Sequence, residues 1–115
     1  MTADVTLADF AASLCGEDRL DRLRAGLIGE DATFEGPFGT RKLVYADYVA
    51  SGRALRQIES FVIERILPYY ANSHTEASYC GGLMTRLRRE ARAVVARHCG
   101  ADDRFATVFT GSGAT

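Results

Sequence analysis

The chain has 115 residues, 47% hydrophobic and 25% charged, the balance of a globular protein and not of a disordered or fibrous one. Its formal charge is −1, and no apolar run approaches the roughly 20 residues that span a bilayer. With no charged-then-apolar leader, these features predict a cytoplasmic protein without membrane or nucleic-acid partners.

The charge is unevenly spread. Residues 1–35 carry eight acids and three arginines, whereas residues 36–115 carry eleven basic and seven acidic side chains. A surplus of this size attracts an anion more readily than a polynucleotide. Lys42 is the one lysine among 14 basic residues. The three cysteines, Cys15, Cys80 and Cys99, lack paired spacing, so free and mostly buried thiols are expected. Adding His74 and His98 produces no metal-ligand pattern.

Val5, Leu7, Phe10, Ala11 and Leu14 stand at helical spacing, and Gly16 stops the pattern. A second helix carries Leu20, Leu23, Leu27 and Ile28 on one side and ends at Gly29. Together they predict an N-terminal helical arm over residues 1–42. Gly36, Pro37 and Gly39 then break any helix, and Phe34, Phe38, Leu43, Val44 and Tyr45 suggest short extended pieces. Ala50-Ser51-Gly52 is a small, flexible loop that backbone or ligand can approach closely.

Residues 55–67 read as a helix with Leu55, Ile58, Phe61, Val62 and Ile66 on one face and Pro68 at its end. The loop 69–82 is polar and aromatic, and longer than a plain connector needs. A long helix, roughly 83–99, buries Leu83, Leu87, Ala91, Val94 and Val95. Arg86, Arg89, Arg92 and Arg97 lie off that stripe and are expected on a solvated face. Ala106 to Thr110 reads as a short buried strand running into Gly111-Ser112-Gly113-Ala114-Thr115.

Small residues between a strand end and a helix start make an anion site, because backbone N–H groups approach closely and the helix dipole favours negative charge. A P-loop is excluded, since no Lys follows the glycines. Gly111 and Gly113 match the first half of a dinucleotide fingerprint, and a plain turn without ligand stays open. The helix that would complete this element lies past Thr115, so the chain is expected to be the N-terminal portion of something longer.

Val44-Tyr45-Ala46-Asp47-Tyr48-Val49-Ala50-Ser51-Gly52 resembles a stretch near the start of class V aminotransferases and cysteine desulfurases. Helix 55–67, Tyr69-Tyr70, Asn72-Ser73-His74, Glu90-Ala91-Arg92 and Val108 to Thr115 resemble that family's elements in the same order. The resemblance covers about residues 43–115. It implies an α/β, fold-type I enzyme dependent on pyridoxal 5′-phosphate. The expected architecture is a helical arm (1–42) followed by the start of the transferase large domain (43–115), with this stretch mostly helical. It also implies a homodimer acting on a small amino-acid substrate, an aminotransferase or a cysteine desulfurase-like enzyme. Gly113, Ala114 and Thr115 match positions that hold the cofactor phosphate. Ala50, Ser51, Gly52, Asn72 and His74 match positions bordering the substrate.

Pyridoxal chemistry needs a Schiff-base lysine and an acidic partner for the pyridine nitrogen. Lys42 precedes the first family element and matches no such position, so this stretch contributes no catalytic residue and alone is expected to be inactive. A dinucleotide-binding oxidoreductase portion and a non-enzymatic helical interaction module are the alternatives.

Overall fold

The computed structural model describes residues 5–111. They form a mixed, mostly helical arrangement: α1 (Leu7–Ser13), α2 (Arg19–Ala25), a hairpin of β1 (Thr33–Gly36) and β2 (Gly39–Lys42), α3 (Arg56–Phe61) and α4 (Tyr79–His98). Local chemistry sets the helix ends. Thr6 Oγ1 accepts from the Asp9 amide at 3.1 Å and so caps α1. Arg22 of α2 donates to the carbonyls of Ser13 and Cys15 at 3.2 and 2.6 Å, holding the two arm helices together.

The hairpin is antiparallel, pairing Thr33 with Lys42 and Gly36 with Gly39 around Pro37-Phe38. Gly39 has φ +83°, a backbone that a side chain at this turn would strain. The expected second helix was to run to Gly29; instead α2 stops at Ala25. Leu27 forms an antiparallel bridge with Leu55, the Ile28 amide donates to the Ala54 carbonyl at 3.0 Å, and the Arg56 amide donates to the Gly26 carbonyl at 2.8 Å. These bonds tie the end of the arm to the start of α3.

The helix expected over residues 55–67 is α-helical only to Phe61. It continues as a π-helical turn, Val62–Ile66, and a 3-10 turn, Leu67–Tyr69, with Pro68 inside the latter. α4 begins four residues earlier than the sequence pattern predicts. Ser78 caps it, accepting from the Gly81 amide at 3.1 Å, and Gly81 is buried because the Thr75 carbonyl crosses it closely. Gly100, with φ +67°, follows its C-terminal end.

The core sits on the first half of α4. Leu83 is 1% exposed and clusters with Val5, Met84 and Leu87, with Leu7, Phe61, Ile66 and Tyr69 against it. Phe10 stacks on Phe61 at 4.3 Å. The second half of the predicted stripe is only partly covered: Val94 and Val95 are 37% and 40% exposed. The predicted strand at Ala106 to Thr110 does not form among the described residues, where this stretch is neither helix nor strand, and Val108 is 71% exposed. A strand needs neighbours to satisfy its backbone, and the described sheet has only two strands, paired with each other. The thiols differ from expectation as well: all three are free, but Cys15 and Cys99 are exposed and Cys80 is half-buried.

The Cα radius of gyration is 18.2 Å, against about 13 Å for a compact domain of this length. The accessible surface is 9162 Å2, against about 6,200 Å2 for a compact monomer of this mass. Much apolar surface therefore stays in water, including Phe38, Val44, Val49 and Phe105. Among the described residues, no helix is long and apolar enough to cross a membrane.

Candidate functional site

The residues matched to phosphate binding, Gly113, Ala114 and Thr115, lie outside the described residues. The stretch leading to them is neither helix nor strand and mostly exposed, and a Cβ added at Gly111 would meet no atom within 4 Å.

Ala50, Ser51 and Gly52 form an exposed loop between the hairpin and α3. Tyr45 organises it. Its hydroxyl lies 2.7 Å from the Ser51 carbonyl, 2.7 Å from Ser51 Oγ and 3.1 Å from the Asp47 carbonyl. The Arg53 guanidinium lies over the Tyr45 ring at 5.0 Å and donates to the Ile28 carbonyl at 2.7 Å. Tyr48 packs edge-on against Tyr45 at 5.2 Å. The loop is thus pinned by an aromatic and cationic bracket rather than by burial.

Asn72 and His74 lie on the connection before α4, and both are exposed. His74 has φ +107°, the single non-glycine residue with positive φ among the described residues. Its amide donates to Thr85 Oγ1 at 3.3 Å. The structure brings His74 together with Ser73, Glu76, Thr85, Arg88, Arg89 and Arg92 around a cavity of about 280 Å3. Asn72 and the Ala50-Ser51-Gly52 loop do not line that cavity.

The arginines expected on one solvated face divide between two environments. Arg86 turns toward the Val5 carbonyl, at 3.4 Å, and Glu90, at 3.8 Å. Glu90 also accepts from the Leu7 amide at 2.9 Å, which locks the N-terminal segment to α4. Arg88 and Arg92, both half-buried, face the 73–76 loop. Arg88 Nη1 donates to Ser73 Oγ at 3.3 Å, and Arg89 pairs with Glu76 at 2.8 Å. Arg92 lies 5.9 Å over the Phe109 ring. Arg97 is exposed.

Thr85 and Arg88 have no place in the sequence reading of the site. The signal was present: positions 85, 88, 89 and 92 follow the i, i+3, i+4, i+7 spacing that aligns side chains on one helix face. Reading loop 69–82 and the helix as separate elements hid their meeting.

One titration shift stands out. The Arg104 guanidinium beside Asp102, 2.7 Å away, holds that carboxyl below its usual range, and Asp102 in turn raises Arg104. Both groups sit on an exposed turn after α4. Compared with known proteins, the chain matches no family model, no curated protein and no solved structure.

Proposed function

We propose that this chain is the N-terminal portion of a pyridoxal-phosphate-dependent enzyme acting on amino acids, of the class V aminotransferase type and of fold-type I. The observation that carries the reading is the ordered series of family-like elements over residues 43–115. The Ala50-Ser51-Gly52 loop comes first, then Asn72-Ser73-His74, then Glu90-Ala91-Arg92 on the long helix, then the small-residue run after Thr110. The order of the chain supports it: the 20-residue helix α4, a stretch that is neither helix nor strand, and then, in sequence, the small residues. The partly exposed apolar side chains of α4 and of the stretch after it, among them Val94, Val95 and Val108, suit a helix and strand that pack into a larger sheet.

In this reading Gly113 and Ala114 offer backbone amides and Thr115 a hydroxyl to the cofactor phosphate. Bound pyridoxal phosphate supplies an electron sink for bonds broken next to an amino group. Lys42 stands on the hairpin, 58% exposed and 3.1 Å from Asp31, and takes no Schiff-base role in this reading. The chain contributes binding and positioning, with Ser51 and His74 on the substrate side, in a homodimer.

The test is cofactor retention by equilibrium dialysis on the full gene product. Wild type retains pyridoxal phosphate, and Thr115→Val loses roughly 10- to 150-fold in affinity, as expected for one hydrogen bond to a charged group. Gly113→Val loses more, because a side chain blocks backbone approach. Wild type that binds no pyridoxal phosphate, or variants that bind it unchanged, would sink the reading. Tight binding of a nicotinamide dinucleotide instead would favour the oxidoreductase alternative.

A further inference from the structure

The face of α4 under the 73–76 loop carries a charge imbalance that the described residues do not cancel. Among the described residues, Arg88, Arg89 and Arg92 meet a single carboxylate there, Glu76, which Arg89 already engages at 2.8 Å. Like charges at i, i+3 and i+4 on a helix repel. Partial burial sharpens that repulsion, because less water screens it.

The donors are unevenly used. Arg88 gives one Nη1 bond to Ser73. The Nε atoms of Arg88 and Arg92 are buried and have no hydrogen-bond partner among the described residues. A guanidinium N–H held out of water without an acceptor is uncommon in folded proteins. Ser73, His74 and Thr85 line the same cavity and add polar groups to it. His74 keeps a left-handed backbone to bring the loop across the helix, and such strain gathers at functional positions.

We infer that Ser73, His74, Thr85, Arg88 and Arg92 form a binding site for a phosphate-sized dianion, built from residues other than those of the Gly111–Thr115 run. Two guanidinium forks match the planar, multiply acceptor-bearing face of a phosphoryl group. The cavity, about 280 Å3, falls below the roughly 300–1,000 Å3 of sites that enclose whole drug-sized ligands. It suits inorganic phosphate or the phosphate end of a small phosphomonoester, with the remainder of the ester in solvent. Glu76 stays on the rim with Arg89, and sets the charge left for the ligand at two guanidinium groups. The site needs no bound cofactor, so it stands or falls apart from the pyridoxal phosphate reading.

The test uses the full chain at low ionic strength, titrated with inorganic phosphate, glycerol phosphate and acetate while backbone amide shifts are followed. Phosphate is expected to bind saturably with one site, to move the amides of His74, Thr85 and Arg92, and to outcompete acetate. A phosphomonoester that binds more tightly than inorganic phosphate identifies the ester as the source; equal affinity identifies the free ion. Arg88→Gln and Arg92→Gln are each expected to weaken binding at least tenfold, and Arg97→Gln on the exposed part of the same helix to leave it unchanged. Arg88→Lys keeps the charge and removes the fork, and is expected to lose several-fold while folding normally. The proposal is overturned by non-saturable binding, by shifts confined to residues 111–115, or by Arg97→Gln weakening binding as much as Arg88→Gln. The amide shifts on wild type decide the matter even where a variant fails to fold.

Discussion

Replacing Leu83 with alanine tests where this protein keeps its stability. Leu83 is 1% exposed and sits at the centre of a four-residue buried cluster. The substitution removes three carbon atoms from an apolar site, worth about 0.8 kcal/mol each, or roughly 2.4 kcal/mol before any cavity cost. Leu→Ala changes in rigid cores reach about 5 kcal/mol when the cavity persists. Here the walls are yielding: Phe61, Ile66 and Tyr69 are only partly buried, and Val5 comes from the segment before α1. Partial collapse keeps the expected loss near 2.5–3.5 kcal/mol. Urea unfolding followed by far-UV circular dichroism should show the midpoint falling by about 1–3 M. Val49→Ala, at a side chain 102% exposed, should cost under about 0.5 kcal/mol. If Leu83→Ala costs less than about 1 kcal/mol, or no more than Val49→Ala, the assigned core is wrong.

Gly81→Ala would set a Cβ 2.7 Å from the Thr75 carbonyl oxygen and 2.8 Å from Thr75 Cγ2; it should cost about 1–3 kcal/mol in the same assay and shift the amide signals of residues 73–78. His74→Gly should leave the protein about 1 kcal/mol more stable than His74→Ala, because only alanine keeps the penalty of a positive φ. Asp102 is held below the usual carboxylate range by Arg104, so its contribution is present above the ordinary carboxylate pKa and is lost as pH falls through the lowered folded value. Carboxyl chemical shifts should therefore show Asp102 titrating below the usual carboxylate range, and Arg104→Gln should move it back up toward that range.

The helices were legible wherever apolar spacing and a stop residue agreed. Gly16 and Gly100 mark the ends of α1 and α4 in both sequence and structure, and Gly36-Pro37-Phe38-Gly39 signals a break that becomes the hairpin turn. Legibility failed where a long-range contact overrode a local preference. Gly81-Gly82 argues against a helix, yet α4 starts at Tyr79, because Ser78 caps it and Thr75 closes over Gly81. Leu27 and Ile28 continue the pattern of α2, yet they pair with the segment before α3. Val94, Val95 and Val108 have the composition of buried positions, yet the described residues cover Val94 and Val95 only in part and leave Val108 71% exposed. In the candidate site His74 stood out in the sequence, whereas Thr85 and Arg88 emerged only once the loop lay across the helix.

α4 joins these observations because its faces carry different tasks. Leu83, Met84 and Leu87 anchor its first half to the core. Thr85, Arg88, Arg89 and Arg92 turn a second face to the 73–76 loop. Val94 and Val95 present a third, apolar face near its end. The loop is held to the helix by polar contacts of 2.8 to 3.3 Å at Glu76, Ser73 and His74, each worth about 1 kcal/mol net in a neutral pair and somewhat more with a charge. Those contacts alone do not order a strained loop, since fixing each residue's backbone costs about 1–2 kcal/mol. The loop also depends on the close crossing of Thr75 over Gly81, and Gly81 lies within a turn of Leu83. Loss of the core at Leu83 therefore loosens the arginine cluster through Gly81, whereas truncation of Val94 or Val95, outside both the core and the cavity lining, leaves it in place.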